Sequence, residues 1–151
     1  MMNNQNTDIK TLQKLSQQIP QKMPYVKMLM LFGSRARGDI HEKSDWDFAI
    51  LYNREIREKT FKDNPYGWFA DSIDLNEIFE LKTEHIDIVD LNSCSDFIAH
   101  YVARDGVLLY EKNKGEFNQF KQNKLKTEIE IQQLTNIMRK KVENFLVKRG
   151  V

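Results

Sequence analysis

The chain has 151 residues, 23 basic and 22 acidic, for a net charge of +1, a length suited to one domain that buries about two-thirds of the surface its unfolded form exposes. A separate substrate-binding domain has no room, and a chain this close to neutral would meet nucleic acid only through a local patch. The single cysteine, Cys94, excludes an internal disulfide and fits a packing role in a reducing compartment. No apolar run approaches the roughly 20 residues of a membrane span, and the Asn/Gln-rich start lacks a signal peptide's apolar core. A soluble, cytoplasmic protein is expected.

Ile9, Leu12, Leu15 and Ile19 recur at helical spacing behind a Thr7 or Asp8 cap, and Pro20 with Pro24 is expected to end that helix. Residues 26–32 (VKMLMLF) are a continuous apolar run closed by Gly33, the pattern of a strand in the middle of a sheet. The short polar segment 34–38 suits one helical turn whose N-terminus faces out from the strand end, and 39–44 is loop. Residues 45–52 (DWDFAILY) begin with alternating acids and end apolar, which predicts a strand whose first turn stands at the rim of the sheet. The charged stretch 53–64 is irregular or partly helical.

Trp68, Phe69, Ile73, Leu75, Ile78, Phe79 and Leu81 give an apolar stripe for a helix covering the sheet. Trp68 and Phe69 then fill the core, with stacking on a nucleobase as the alternative. Residues 85–91 (HIDIVDL) alternate as a third strand, Ile86 and Ile88 on one face and Asp87 and Val89 on the other. A short helix over 97–102, a turn at Asp105-Gly106 and a last strand over 107–110 (VLLY) follow. From 116 to about 148 there is neither proline nor glycine, which predicts one long helix. At ~1.5 Å per residue it would run roughly 45–50 Å, more than such a domain is wide. Its stripe of Ile131, Leu134, Met138, Val142 and Phe145 either folds back on its own domain or waits for a partner helix. The expected division is a core over 1–112 and a helical element over 113–151, a candidate for partner binding.

Gly33 lets the backbone approach a ligand closely, and Ser34 can offer both N–H and hydroxyl to a phosphate oxygen. Ten residues after Ser34 come Asp45 and Asp47. Two apart in an extended segment, their carboxylates share a face, with Trp46 on the other. Like charges on one face repel, and a divalent cation that also binds phosphate oxygens would relieve the repulsion. Asp87 is a carboxylate inside an apolar strand, costly unless it lies at the sheet end beside a metal or a proton to be abstracted. Asp90 points to the opposite face and suits a cap for the segment beginning at Asn92 or Ser93.

The string LFGSRARGDIHEKSDWDFAI, with the acidic strand after it, resembles the nucleotidyltransferase signature of the polymerase-β superfamily and is especially similar to the minimal nucleotidyltransferases. Those small proteins are commonly antitoxins encoded beside HEPN-type ribonuclease toxins. The resemblance runs from about Tyr25 to Leu91. It implies an α+β, polymerase-β-like fold: a small mixed sheet flanked by helices, with a long C-terminal helix. It further implies that Gly33 and Ser34 bind the triphosphate of ATP and that Asp45, Asp47 and Asp87 hold Mg²⁺, two ions in the family's pattern, with Asp87 as base. Arg37 and Arg35 lie in the matching stretch and either could offset phosphate charge, Arg37 being the favoured one; each is otherwise a salt-bridging surface arginine. Trp46 stands where the family usually has a smaller aliphatic residue, which bears on packing of the opposite face. The implied reaction is AMPylation of a tyrosine on the cognate toxin. Two other functions remain open: neutralisation by stoichiometric binding through the long helix, and transfer to a small hydroxylated molecule such as an aminoglycoside.

Other residues carry less. His41 lies in the loop inside the signature. His85 and His100 have no metal-ligand spacing with Cys94 or with each other, so zinc is not expected. The lysines between Lys112 and Lys126 are interrupted by glutamates and suit a solvated helix face better than a nucleic-acid contact.

Overall fold

Among the described residues four strands form one sheet: β1 (Val26–Phe32), β2 (Trp46–Tyr52), β3 (Ile86–Asp90) and β4 (Val107–Glu111), in the order β3-β2-β1-β4. The structure is a computed structural model and describes residues 8–38, 45–81 and 85–150, without the side chain of Trp68. The N-terminal tail, the loop 39–44 and His41 lie outside the described residues. β1 pairs antiparallel with β2 and β4, whereas β2 and β3 are parallel. A parallel pair needs a crossover, supplied here by α4 (Arg54–Phe61) and α5 (Gly67–Phe79).

Alternation along the strands divides the core into two layers. Leu29, Leu31, Phe48 and Ile50 pack with Leu12 of α1 (Ile9–Leu15), Ile19 of α2 (Ile19–Lys22) and Leu75, Ile78 and Phe79 of α5. On the opposite face Met28, Met30 and Ala49 meet Val102 of α6 (Asp96–Asp105), with Phe117 and Phe120 of α7 (Glu116–Lys124) against them. A register irregularity between Val26 and Met28 allows Val26 and Leu29 to enter the same layer. At the far end of β2 the Asn92 side chain extends the ladder: its Oδ1 accepts the Tyr52 N–H at 2.8 Å and its Nδ2 donates to the Tyr52 carbonyl at 3.0 Å.

Several expectations need correcting. Asp8 caps α1, but Pro20 does not end the helical segment. A 3-10 turn over Ser16–Gln18 joins α1 to α2, and Pro20 sits in the first turn of α2, where its missing N–H costs nothing. Of the two alternatives for the charged stretch after β2, the partly helical one holds: α4 is capped by Asn53, whose Oδ1 accepts the Ile56 N–H. Phe69 and Ile73 are not core residues; they are 46% and 61% exposed on the outer side of α5.

Asp71, at 3% exposure, is the buried residue in that part of α5. It accepts from Tyr25 Oη at 2.8 Å and Tyr52 Oη at 2.6 Å, and pairs with Arg57 Nη2 at 2.9 Å. Burial, then the Asp71 charge, pushes both tyrosine hydroxyls well above their ordinary pKa.

The single long helix expected from 116 to 148 is two helices, α7 and α8 (Glu128–Lys148). Thr127 separates them through a capping box: its Oγ1 accepts the Glu130 N–H at 3.2 Å and Glu130 Oε1 accepts the Thr127 N–H at 3.2 Å. His100, buried in α6, anchors the junction by accepting the Lys126 N–H on Nδ1 at 2.9 Å. The α8 stripe divides in the same way. Ile131 and Leu134 are half-buried, whereas Met138, Val142 and Phe145 are 47%, 58% and 53% exposed.

Candidate active site

β1 delivers Gly33 to the rim of the sheet with φ 75° and ψ −158°, a conformation essentially closed to residues with a side chain. A Cβ at Gly33 would overlap Asp47 Oδ2, so this glycine is needed for space as well as for its backbone angle. Its carbonyl accepts the N–H groups of Ala36 and Arg37, each at 3.1 Å, and so folds the next residues into the single turn α3 (Ser34–Arg37). Ser34 therefore starts that turn directly beyond the strand end.

The acids converge by register. Asp47 is the partner of Phe32 across the antiparallel β1–β2 pair and of Asp87 across the parallel β2–β3 pair. Paired residues of neighbouring strands share a face, so Asp47 and Asp87 stand side by side, and Asp45 precedes them on the same side of β2. Trp46 goes to the other face, buried beside Phe48 with ring centroids 6.3 Å apart. The tryptophan between the acids is thus accommodated as part of the core.

Asp47 is pushed up to about 6, by burial first and then by the charges of Asp87 and Asp45, while Arg37 and Arg35 act in the opposite direction. Asp45 is more open and lies 3.8 Å from His85, Oδ1 to Nδ1. Among the described residues no three acidic, histidine or cysteine side chains converge tightly enough to enclose a metal ion. The donor chemistry nevertheless fits Mg²⁺: hard carboxylate oxygens on adjacent strands, with mutual repulsion that a divalent cation would relieve.

The two arginines of the motif separate. Arg35 is 8% exposed and its guanidinium lies 4.0 Å from the Trp46 ring centroid, a cation–π contact on the far side of the acid-bearing strand. Burial draws its pKa down, and the Asp45 and Asp47 charges oppose that. Arg37 stays on the acid side. Its Nη1 is 3.6 Å from Asp105 Oδ2, and Asp105 is itself held by Arg104 through bonds of 2.9 and 2.8 Å. Sequence reasoning assigned Asp105 only to a turn; nothing in its spacing from Arg37 shows that α6 carries it to this end of the sheet. Asp90 does not cap a helix, but its Oδ1 accepts the Asn92 N–H at 2.8 Å in a local turn. Cys94 is half-buried, with burial raising its thiol pKa, as suits an unreactive packing residue.

Residues 13–115 match the polymerase beta nucleotidyltransferase family. The chain belongs to that family. A curated member, the protein adenylyltransferase MntA of Aphanizomenon flos-aquae (strain 2012/KM1/D3), is 46% identical over 143 residues, 95% of each chain. Solved structures share the nucleotidyltransferase fold at lower identity. A complex of a tri-AMPylated Shewanella oneidensis HEPN toxin with its MNT antitoxin matches with TM-score 0.53 and 18% identity over 91% of this chain and 97% of the other. A toxin–antitoxin with AMP-PNP matches with TM-score 0.50 and 21% identity over 93% and 99%. The α+β nucleotidyltransferase fold, with its small mixed sheet and long C-terminal helix, is therefore that of the family. Among the described residues no helix is long and apolar enough to cross a membrane.

Proposed function

We propose that this nucleotidyltransferase is a protein adenylyltransferase and antitoxin, moving AMP from ATP to a tyrosine hydroxyl of a cognate HEPN-type ribonuclease toxin. The supporting observation is the register of Asp47 with Asp87, packed against Gly33, in a chain 46% identical along nearly its whole length to a protein adenylyltransferase. Gly33 and Ser34 seat the triphosphate, and Arg37 faces its charge. Asp45, Asp47 and Asp87 would hold Mg²⁺, two ions in the family's pattern; when bound, the metal would neutralise phosphate charge and orient the reacting oxygens.

Asp87, the most exposed strand position of the pair, takes the proton of the tyrosine hydroxyl. The tyrosine oxygen then forms a bond to the α-phosphorus, the bond from that phosphorus to the β-phosphate bridging oxygen breaks, and pyrophosphate leaves with the electron pair. A phosphate anion placed near a ribonuclease site repels RNA phosphates, which accounts for neutralisation. The exposed Met138, Val142 and Phe145 of α8 serve as the partner-binding element of the 113–151 segment.

Mass spectrometry of the toxin after incubation with this protein, ATP and Mg²⁺ is the direct test. A gain of ~329 Da per AMP, absent with Asp45→Ala or Asp87→Ala, is expected for covalent transfer. Toxin neutralised at unchanged mass would overturn the enzymatic reading in favour of binding through α8.

A further inference from the structure

The two edges of the sheet are treated differently. At β4 the carbonyls of Leu108 and Leu109 accept Gln13 Nε2 at 2.9 Å and Ser16 Oγ at 2.6 Å, so the N-terminal helical segment seals that edge. Among the described residues β3 has a strand, β2, on one side only. The Trp46 N–H donates to the His85 carbonyl and the Leu91 N–H to the Ile50 carbonyl. In a parallel ladder this directs the backbone groups of residues 85, 87, 89 and 91 towards β2 and those of Ile86 and Ile88 away from it. Among the described residues nothing meets those outward groups. An open strand edge is a template for another chain.

We infer that β3 is the docking edge for the protein acceptor: an extended segment carrying the hydroxyl adds as a fifth strand on Ile86 and Ile88. The inference rests on the protein adenylyltransferase reading and specifies how that substrate is presented. Strands lie ~4.8 Å apart, and paired residues share a face. A residue opposite Asp87 therefore continues the row Asp47, Asp87, acceptor, with its side chain rising on the face that carries the acids. That brings the hydroxyl beside Asp87, the proposed base, and no separate substrate domain is needed to achieve it.

The neighbouring residue of the added strand points to the opposite face. There it meets a cleft of about 290 Å³ that opens along the β3 edge, with Tyr52, Arg57, Asp71 and Asp90 in its lining and Asp87 at its border with the acid face. Asp71 is committed to Arg57 and the two tyrosines. Asp87 belongs to the acid set, which leaves Asp90 as the exposed carboxylate on the Ile86–Ile88 face of the cleft, so the segment carries a basic side chain next to its hydroxyl-bearing residue. Main-chain bonds supply affinity and the alternate pocket supplies selectivity, the division of labour of strand addition. The Asn92 clasp on Tyr52 fixes the end of β3 and keeps the template rigid.

Ile88→Pro tests this directly. It removes one outward N–H, while the inward ladder groups belong to Asp87 and Val89, and proline is tolerated on an edge strand in that orientation. Toxin adenylylation should slow by about tenfold or more, the effect of roughly one lost hydrogen bond plus the clash of the ring, with thermal unfolding still cooperative. In parallel, exchange of the Ile88 amide in the wild-type chain should slow by about tenfold or more when toxin and a non-hydrolysable ATP analogue are added. If Ile88→Pro does not fold, the exchange measurement decides alone. Wild-type rates in a folded Ile88→Pro, or an Ile88 amide that exchanges equally fast in the complex, overturn strand addition and leave the adenylyltransferase reading standing. A toxin that even the wild-type chain leaves unmodified overturns both.

Discussion

Replacing Asp47 with asparagine should make the metal-free protein more stable while abolishing its chemistry. Asp47 titrates near 6 in the folded chain against an ordinary 3.8, because burial and the Asp87 and Asp45 charges penalise its ionised form. The folded state therefore holds the proton more tightly than the unfolded one. The stability penalty is absent below about 3.8, grows through the interval, and is complete above about 6. The interval corresponds to about 3 kcal/mol for a fully buried group; screening at this half-buried carboxylate reduces it to about 1 kcal/mol. Asparagine keeps the shape against Gly33 and removes the charge. For a chain of this length the gain should raise the melting temperature by ~2–4 °C at pH 7.5 in EDTA, and by about a third of that at pH 4.5. Saturating Mg²⁺ should stabilise wild type more than the variant, narrowing or reversing the gap. Scanning calorimetry at the two pH values, with and without Mg²⁺, measures all four numbers. A variant no more stable than wild type at pH 7.5 in EDTA, or a gain that ignores pH, would refute the electrostatic account.

Gly33→Ala combines a disallowed backbone angle with an overlap onto Asp47. It should cost about 1–3 kcal/mol in urea unfolding and eliminate ATP binding by calorimetry. Asp71→Ala strips two tyrosine hydroxyls and Arg57 of their shared acceptor and should lower stability by about 3 kcal/mol, with Tyr52→Phe costing nearer 1 kcal/mol. Thr127→Ala should remove about 1 kcal/mol of capping and show faster amide exchange confined to the first turn of α8. Val142→Asp with Phe145→Asp should leave the melting temperature nearly unchanged, because both residues are already exposed, yet weaken toxin binding by about tenfold or more in a calorimetric titration.

The placement of the candidate site residues is legible in the sequence wherever local spacing decides geometry. Asp45 and Asp47 alternate with Trp46 along one strand, and Gly33 closes an apolar run, so their placement at the rim needed no tertiary knowledge. What local pattern could not supply was which strands are neighbours. Asp87 meets Asp47 only because β3 returns parallel to β2 after the α4–α5 crossover. Asp71 shows the same limit more sharply: its partners come from the turn before β1, from β2 and from α4, and a lone acid within an amphipathic stripe looks solvated until those three segments close over it. Phe69 and Ile73 have helical periodicity, but periodicity does not reveal where the covered part of a helix ends. The α7–α8 break rests on Thr127 and Glu130 at capping-box spacing, a polar signal that an expectation built on the absence of proline and glycine passes over.

The pairing of Asp47 with Asp87 also bears on when the protein becomes, and stops being, an enzyme. The two acids are far apart along the chain and meet through its parallel pairing, a long-range closure that forms slowly compared with the antiparallel β1–β2 contact. Folding should therefore complete the phosphate-binding turn before the carboxylate set. Loss should run in the opposite order: β3, paired with β2 alone among the described residues and tied to the two layers through only partly buried Ile86, Ile88 and Val89, opens before the β1–β2 pair once the Asn92 clasp gives way. Catalytic capacity then ends below the temperature at which the fold ends, and the protein would pass through a folded but chemically silent form that could still bind its partner through α8.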